Sequence, residues 1–324
     1  MKEGESMKLA DMYAAAVRKG VQNDPRGPEG VQRVLDAARK AYDTLPESRR
    51  WEFDTESLTN PFVDCRILVG DTATEVRHVL VGIDIGVGEV LLADRLLERG
   101  QPVDLILAHH PEGRSLADLE DVMGVQADML HHVGVPLGIA DAMMDQRRSE
   151  IRRVLHHLNS EQVIDAARLL GIPLMCCHTP ADNSVQGYLQ GWAAGLGEQT
   201  TLGDALEGLK AIPEFREAVV RGVGPILFNG EDDRRVGKVL VEMTGGTSGP
   251  LEALERVAAA GVSTLLEMHI PEEHRAKAKD LLLNVIISGH MASDSLGMNL
   301  VIDEFAREGV RVIPCSGFTR VDRI

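Results

Sequence analysis

Short apolar runs, each long enough for one buried strand and each leading into a helical pattern, recur along this chain. HVLVGID (78–84) runs into GVGEVLLADRLLERG, and VDLIL (103–107), IPLMC (172–176), VGKVLVEMT (236–244), TLLEMHI (264–270) and NVIISGH (284–290) repeat the alternation. A strand that is apolar throughout must be covered on both faces, so the pattern predicts parallel strands joined by helical crossovers, an α/β fold. Aromatic residues are only 3% of the chain while hydrophobic residues are 44%, which leaves the core to Ala, Leu, Val and Ile. Because the alternation occupies both halves, two α/β layers with a site in the cleft between them are expected.

Residues 1–60 read as an N-terminal helical appendage, with helices KLADMYAAAVRKG and PEGVQRVLDAARKAYDTL joined by a Pro/Gly-rich linker. Residues 61–200 read as a first α/β half carrying a helical insert at about 112–165, which would cap the cleft or contact another copy. Residues 201–324 read as a second α/β half whose first stretch, 200–236, has a mixed pattern. With 34 basic and 50 acidic residues the net charge is -16, which disfavours nonspecific nucleic-acid binding. The four cysteines, Cys65, Cys176, Cys177 and Cys315, form no CxxC pair and suit a reducing compartment. No apolar stretch reaches the ~18 residues of a membrane span, and the N-terminus lacks a signal-peptide core. A cytoplasmic protein with no membrane contact is expected.

Histidine sits at the ends of several of these strands. AHHP (108–111) follows VDLIL, CHTPAD (177–182) follows IPLMC, and GHMASD (289–294) follows LLLNVIIS. In open α/β sheets the residues just past the carboxyl ends of strands converge on the ligand crevice. The doublets His131–His132 and His156–His157 lie instead within charged helical patterns and read as solvated faces. At His109–His110, Pro111 halts the strand and lets both imidazoles turn toward one crevice. Asp182 follows a Pro turn and is either a ligand or a helix N-cap. His290 and Asp294 are four apart at a helix start, which places an imidazole and a carboxylate on one face. Mixed imidazole and carboxylate donors suit Zn, Fe, Mn, Ni or Co rather than Ca or Mg. Five such donors exceed one open four-coordinate site and fit two divalent transition-metal ions about 3.5–4 Å apart sharing a carboxylate.

The pieces VLVGIDIGVGEVLLADRLLERGQPVDLILAHHP, HTPADNSVQGYLQGWAAGLG, VLVEMTGGTSGPLEALERVAAAGVSTLLE and NVIISGHMASDSLGMNLVIDEFAREGVRVIP cover most of 64–315. In this order they resemble the NIF-three family, the GTP cyclohydrolase I type-two homologues or dinuclear metal centre proteins. The resemblance implies that His109, His110, Asp182, His290 and Asp294 are the metal ligands, with His178 close by. It also implies an α/β fold, a cleft-bound dinuclear site and a homohexameric ring. The family usually has Glu where Asp294 stands, and often a TGD-like segment where this chain has LEMHIPEEH. The stretch from His110 to Asp182 is longer here, and the N-terminal helices have no identified counterpart.

His269, ending TLLEMHI, and Asp84, ending HVLVGID, face the same crevice if their strands do, and are candidates for acid–base or supporting roles. GGTSGP (245–250) could cradle a phosphate ahead of a helix, but no GxxxxGK[ST] loop is present, which argues against a P-loop NTPase. The expected function is a cyclohydrolase-like, metal-dependent hydrolase acting through metal-bound hydroxide on a small polar or nucleotide-like molecule. The alternative is a non-catalytic metal-binding regulatory or scaffold protein that forms a ring oligomer.

Overall fold

The apolar runs become strands, and the strands sort into two sheets with parallel interiors. A computed structural model describes residues 6–324. The chain opens with β1 (Met7–Lys8), α1 (Leu9–Gln22) and α2 (Gly27–Thr44), followed by β2 (Cys65–Val69), β3 (Glu75–Val76), β4 (His78–Gly82), α3 (Val87–Glu98) and β5 (Leu105–Ala108). The insert comprises α4 (Gly113–Ala117), α5 (Val125–His132), α6 (Leu137–Leu155) and α7 (Gln162–Leu170). Then come β6 (Leu174–Cys177), α8 (Thr179–Ala194), α9 (Leu202–Lys210), α10 (Pro213–Val220) and β7 (Ile226–Asn229). The chain ends with β8 (Val239–Glu242), α11 (Ala253–Ala259), β9 (Thr264–Glu267), α12 (Glu272–Asp280), β10 (Asn284–Ile287), α13 (His290–Arg307) and β11 (Arg311–Pro314).

The first sheet has the order β11-β4-β5-β6-β2, with β2 as its antiparallel edge. In the second, β7-β10-β9-β8, the antiparallel edge is β7. β1 and β3 make a separate short ribbon. The last strand, β11, lies in the second half by sequence yet returns to pair with β4, Val312 opposite Val79. Its carrier is α13, which runs between the sheets. Ala292 and Leu296 of α13 join the core of the second sheet, while Met298, Val301, Ile302 and Phe305 join that of the first. Helix α8 is shared in the same way, through Ala181 on one side and Val185 and Leu189 on the other. The two helices approach closely at Gly297, where a Cβ would collide with the carbonyl oxygen of Ala181. That contact sets how closely α8 and α13 approach beside Asp182 and Asp294.

Two stretches of the chain gain definition in the structure. Helix α1 is part of the core of the first sheet, where Leu9, Met12, Ala15 and Ala16 are buried with Phe62 and Phe305, whereas α2 buries only Gly30 and Val31. The apolar stripe of α1 is narrow and half of it is alanine, so it reads weakly in sequence while packing tightly against α8. The mixed stretch 200–236 contains α9, α10 and the strand β7, whose Ile226 and Phe228 are exposed and so lack a buried strand's pattern. The insert serves both layers. Leu130, Ala140 and Met144 cover one face of the second sheet with Leu240 and Leu265, and Val163, Ile164 and Ala167 of α7 cover the first. Among the described residues, no helix is long and apolar enough to cross a membrane.

Candidate metal centre

The carboxyl ends of β4, β5 and β6 in one sheet face those of β10, β9 and β8 in the other, and the histidines meet there. His109 and His110 follow β5, His178 follows β6, and His290 is the first residue of α13 after β10. Gly289, with φ +99°, makes the turn that starts α13 at His290; a side chain there would be strained and would meet the carbonyl of Val223. At 178–182, His178 occupies the N-cap position of α8 and Asp182 lies inside the helix. Asp182 is therefore not the N-cap, and its side chain turns into the centre.

Asp294 is the hub. Its Oδ1 lies 3.5 Å from His109 Nε2, and its Oδ2 lies 3.5 Å from both His110 Nε2 and His290 Nε2. Asp182 Oδ1 is 3.4 Å from His109 Nε2, and its Oδ2 is 3.5 Å from His178 Nε2. These separations are long for hydrogen bonds. They match donors sharing an ion, since two atoms each about 2.1 Å from one ion at the tetrahedral angle lie about 3.4 Å apart. His109, His110 and Asp294 form one group that could hold a metal ion, and His109, His178 and Asp182 form another. Among the described residues, none is a hydrogen-bond partner to His109 Nε2, Asp182 Oδ1 or either oxygen of Asp294, all of them buried. Orphaned polar atoms are rare in native interiors, and here they share one point in space. The donor set fits a metal.

The imidazoles are also oriented for ligation. His109 Nδ1 donates to the carbonyl of Cys177 at 3.3 Å, His110 Nδ1 to Asp84 Oδ1 at 2.6 Å, and His178 Nδ1 to Asp64 Oδ2 at 2.7 Å. Each ring thus commits Nδ1–H outward and turns Nε2 inward, as ligating histidines do. Asp84, a candidate from its place at a strand end, contacts His110. Asp64 was not foreseen. It also accepts from the backbone N–H and hydroxyl of Thr179, and reaches His178 only because β2 and β6 pair with Cys65 opposite Cys177.

Burial drives the His109 pKa down to about 4, so its ring is neutral. Burial opposes ionisation of Asp294, yet the surrounding His109, His110 and His290 outweigh it and hold the carboxyl well below the carboxylate range. Asp182 is pushed up to about 8 by burial, with the charges of Asp294 and Asp64 adding to the effect. His178 rises to about 10 against its burial, because Asp182 and Asp64 flank it. Without metal, the His178–Asp182 pair holds a proton that a bound cation would displace.

A cavity open to solvent extends from Asp182, Asp294 and His290 past His269 to Glu242 and Glu267. The His269 and His290 rings are 4.9 Å apart, which places His269 beside the centre. The His131–His132 and His156–His157 doublets lie outside this cluster, as their helical context predicts. GGTSGP lines the cavity, but α11 begins only at Ala253 and is seven residues long. The loop's carbonyls are held by Gln126, Arg147 and His274. Among the described residues no Lys or Arg lines its cavity, and Glu242 and Glu267 do.

No protein-family model and no curated protein matches the chain. Among solved structures, a NIF3 superfamily protein from Sphaerobacter thermophilus is similar with a TM-score of 0.69 and 26% identity, over 89% of this chain and 98% of that one. The chain is a NIF3 superfamily protein. More distant similarity extends to HcgD from Methanocaldococcus jannaschii, at 13% identity and TM-score 0.48 over 87% of this chain and 96% of that one. TTHA1606 from Thermus thermophilus is similar at 15% identity and TM-score 0.44, over 90% of this chain and 97% of that one. This NIF3 protein carries the layered fold and the His/Asp cluster on one scaffold, and α8 and α13 bring its carboxylates together.

Proposed function

We propose that the chain holds two divalent transition-metal ions and is a metal-dependent hydrolase of a small polar molecule. The observation that carries this reading is Asp294, whose oxygens face separate imidazole sets, His109 on one side and His110 with His290 on the other. His178 and Asp182 would complete the first set. Ions bound there supply Lewis acidity and make water a nucleophile near neutral pH. The chain's own residues do the rest. Asp64 and Asp84 fix the rings of His178 and His110, and the sheet ends keep the donors rigid. His269, whose pKa is lowered by its burial and by His290, is neutral and placed to move a proton at the cavity wall.

The reading places the protein in the cytoplasm, supported by four unpaired cysteines. Self-association into a homohexameric ring is part of it, supported by the exposed apolar side chains of Val220, Val223, Ile226 and Phe228. Its test is an assay of metal-loaded protein against panels of phosphoesters, amides and nitrogen heterocycles. Turnover is expected on one panel and is lost in His110→Ala. A fully loaded protein inert on every panel would leave a non-catalytic metal holder.

A further inference from the structure

Glu242 and Glu267 end β8 and β9, and the parallel register sets them opposite one another. Side chains at matched positions of adjacent parallel strands project to the same face, with the strands about 4.8 Å apart. This is the face that carries Leu240 and Leu265 into the core beneath the insert. The two carboxylates therefore stand where that core opens into the cavity, with Leu130, Leu254 and Val257 as an apolar wall. Among the described residues, no side-chain cation or hydrogen-bond donor reaches either one. A separate observation points the same way. His274, also in the lining, donates Nε2–H to the carbonyl of Gly249, so its Nδ1 is an acceptor in the neutral ring. That Nδ1 is buried and, among the described residues, has no hydrogen-bond partner, with Glu273 Oε1 out of bonding range at 4.0 Å.

With both glutamates ionised all three groups accept, and among the described residues no side chain donates to them. A hard divalent cation would want six or more oxygens, which two carboxylates beside an apolar wall and an imidazole do not offer. A flat nitrogen cation presents N–H groups along two edges and apolar faces above and below. We propose that Glu242, Glu267 and His274 bind an amidinium or guanidinium group of the substrate, whose other end reaches the metal centre through the shared cavity. This names the substrate class for the hydrolase reading and rests on that reading only for the far end of the cavity.

The test is calorimetric titration of the metal-loaded protein with benzamidinium and with its neutral analogue benzamide. Benzamidinium is expected to bind about tenfold more tightly or better, the range of charge-assisted hydrogen bonds. The double variant Glu242→Gln/Glu267→Gln should lose that preference while retaining its metal, and each single variant should reduce it. Equal binding of the two probes to wild type, or a preference unchanged in the variants, would overturn the proposal. So would an extra Mn²⁺ that competes with benzamidinium and disappears in the double variant. Metal is counted on the same samples. A preference that persists in protein binding no metal would sink the metal reading and leave this one standing.

Discussion

Asp294→Asn is expected to strip the protein of metal. Asparagine keeps the volume but presents one oxygen and an NH₂ in place of two anionic oxygens. Whichever way the amide turns, His109 or the His110–His290 pair faces a donor where it needs a shared cation. The loss in affinity should exceed the ~10–100-fold that follows removal of an outer partner of a metal ligand. Asp64→Asn, which touches only Nδ1 of His178 and the start of α8, should fall within that range. Elemental analysis after dialysis against a competing chelator reads both. An Asp294→Asn protein that keeps its full metal complement would show that the carboxylate is not the hub.

The second large effect concerns stability. Burial raises the Glu242 pKa to about 7 and lifts that of Glu267 well above the ordinary value, with the charge of Glu242 adding to it. In the unfolded chain both titrate near 4.5. At pH below about 4.5 both states are protonated and the pair costs nothing. As pH rises past that value the unfolded chain ionises first, so stability falls, and the Glu242 share of the penalty is complete once pH passes about 7. One pKa unit is about 1.4 kcal/mol, which makes that share roughly 3–4 kcal/mol. The Glu242→Gln/Glu267→Gln variant should therefore unfold at higher urea concentration than wild type at pH 8, with the gap closing toward pH 4. Comparison at equal metal loading cancels the metal's own pH dependence. A gap that stays constant with pH would mean that the carboxylates are solvated and uncoupled.

What could be read from sequence followed from how local each signal is. His109–His110, His178–Asp182 and His290–Asp294 each sit within a few residues of a strand end, and strand ends converge in this architecture. Their meeting was foreseeable as soon as the strands were. Asp64 and the Glu242–Glu267 pair were not, because each depends on register between strands. Asp64 matters only when Cys65 lies opposite Cys177, and the glutamates pair only when β8 and β9 align in parallel. His178 reads in sequence as a neighbour of the site rather than a donor, and only the inward turn of its Nε2 places it among the donors. The N-terminal helices read as peripheral because α1 buries Ala15 and Ala16 beside Leu9 and Met12, and alanine leaves little hydrophobic signal. β11 could not be assigned to the first sheet until α13 was seen to cross between the layers.

Anomalous diffraction from a crystal of the metal-loaded protein tests the centre most directly. Two peaks are predicted, one among His109, His178, Asp182 and Asp294 and the other among His110, His290 and Asp294, with a single Asp294 carboxylate between them. No peak at Asp294, or metal found only elsewhere on the chain, would contradict the proposed centre.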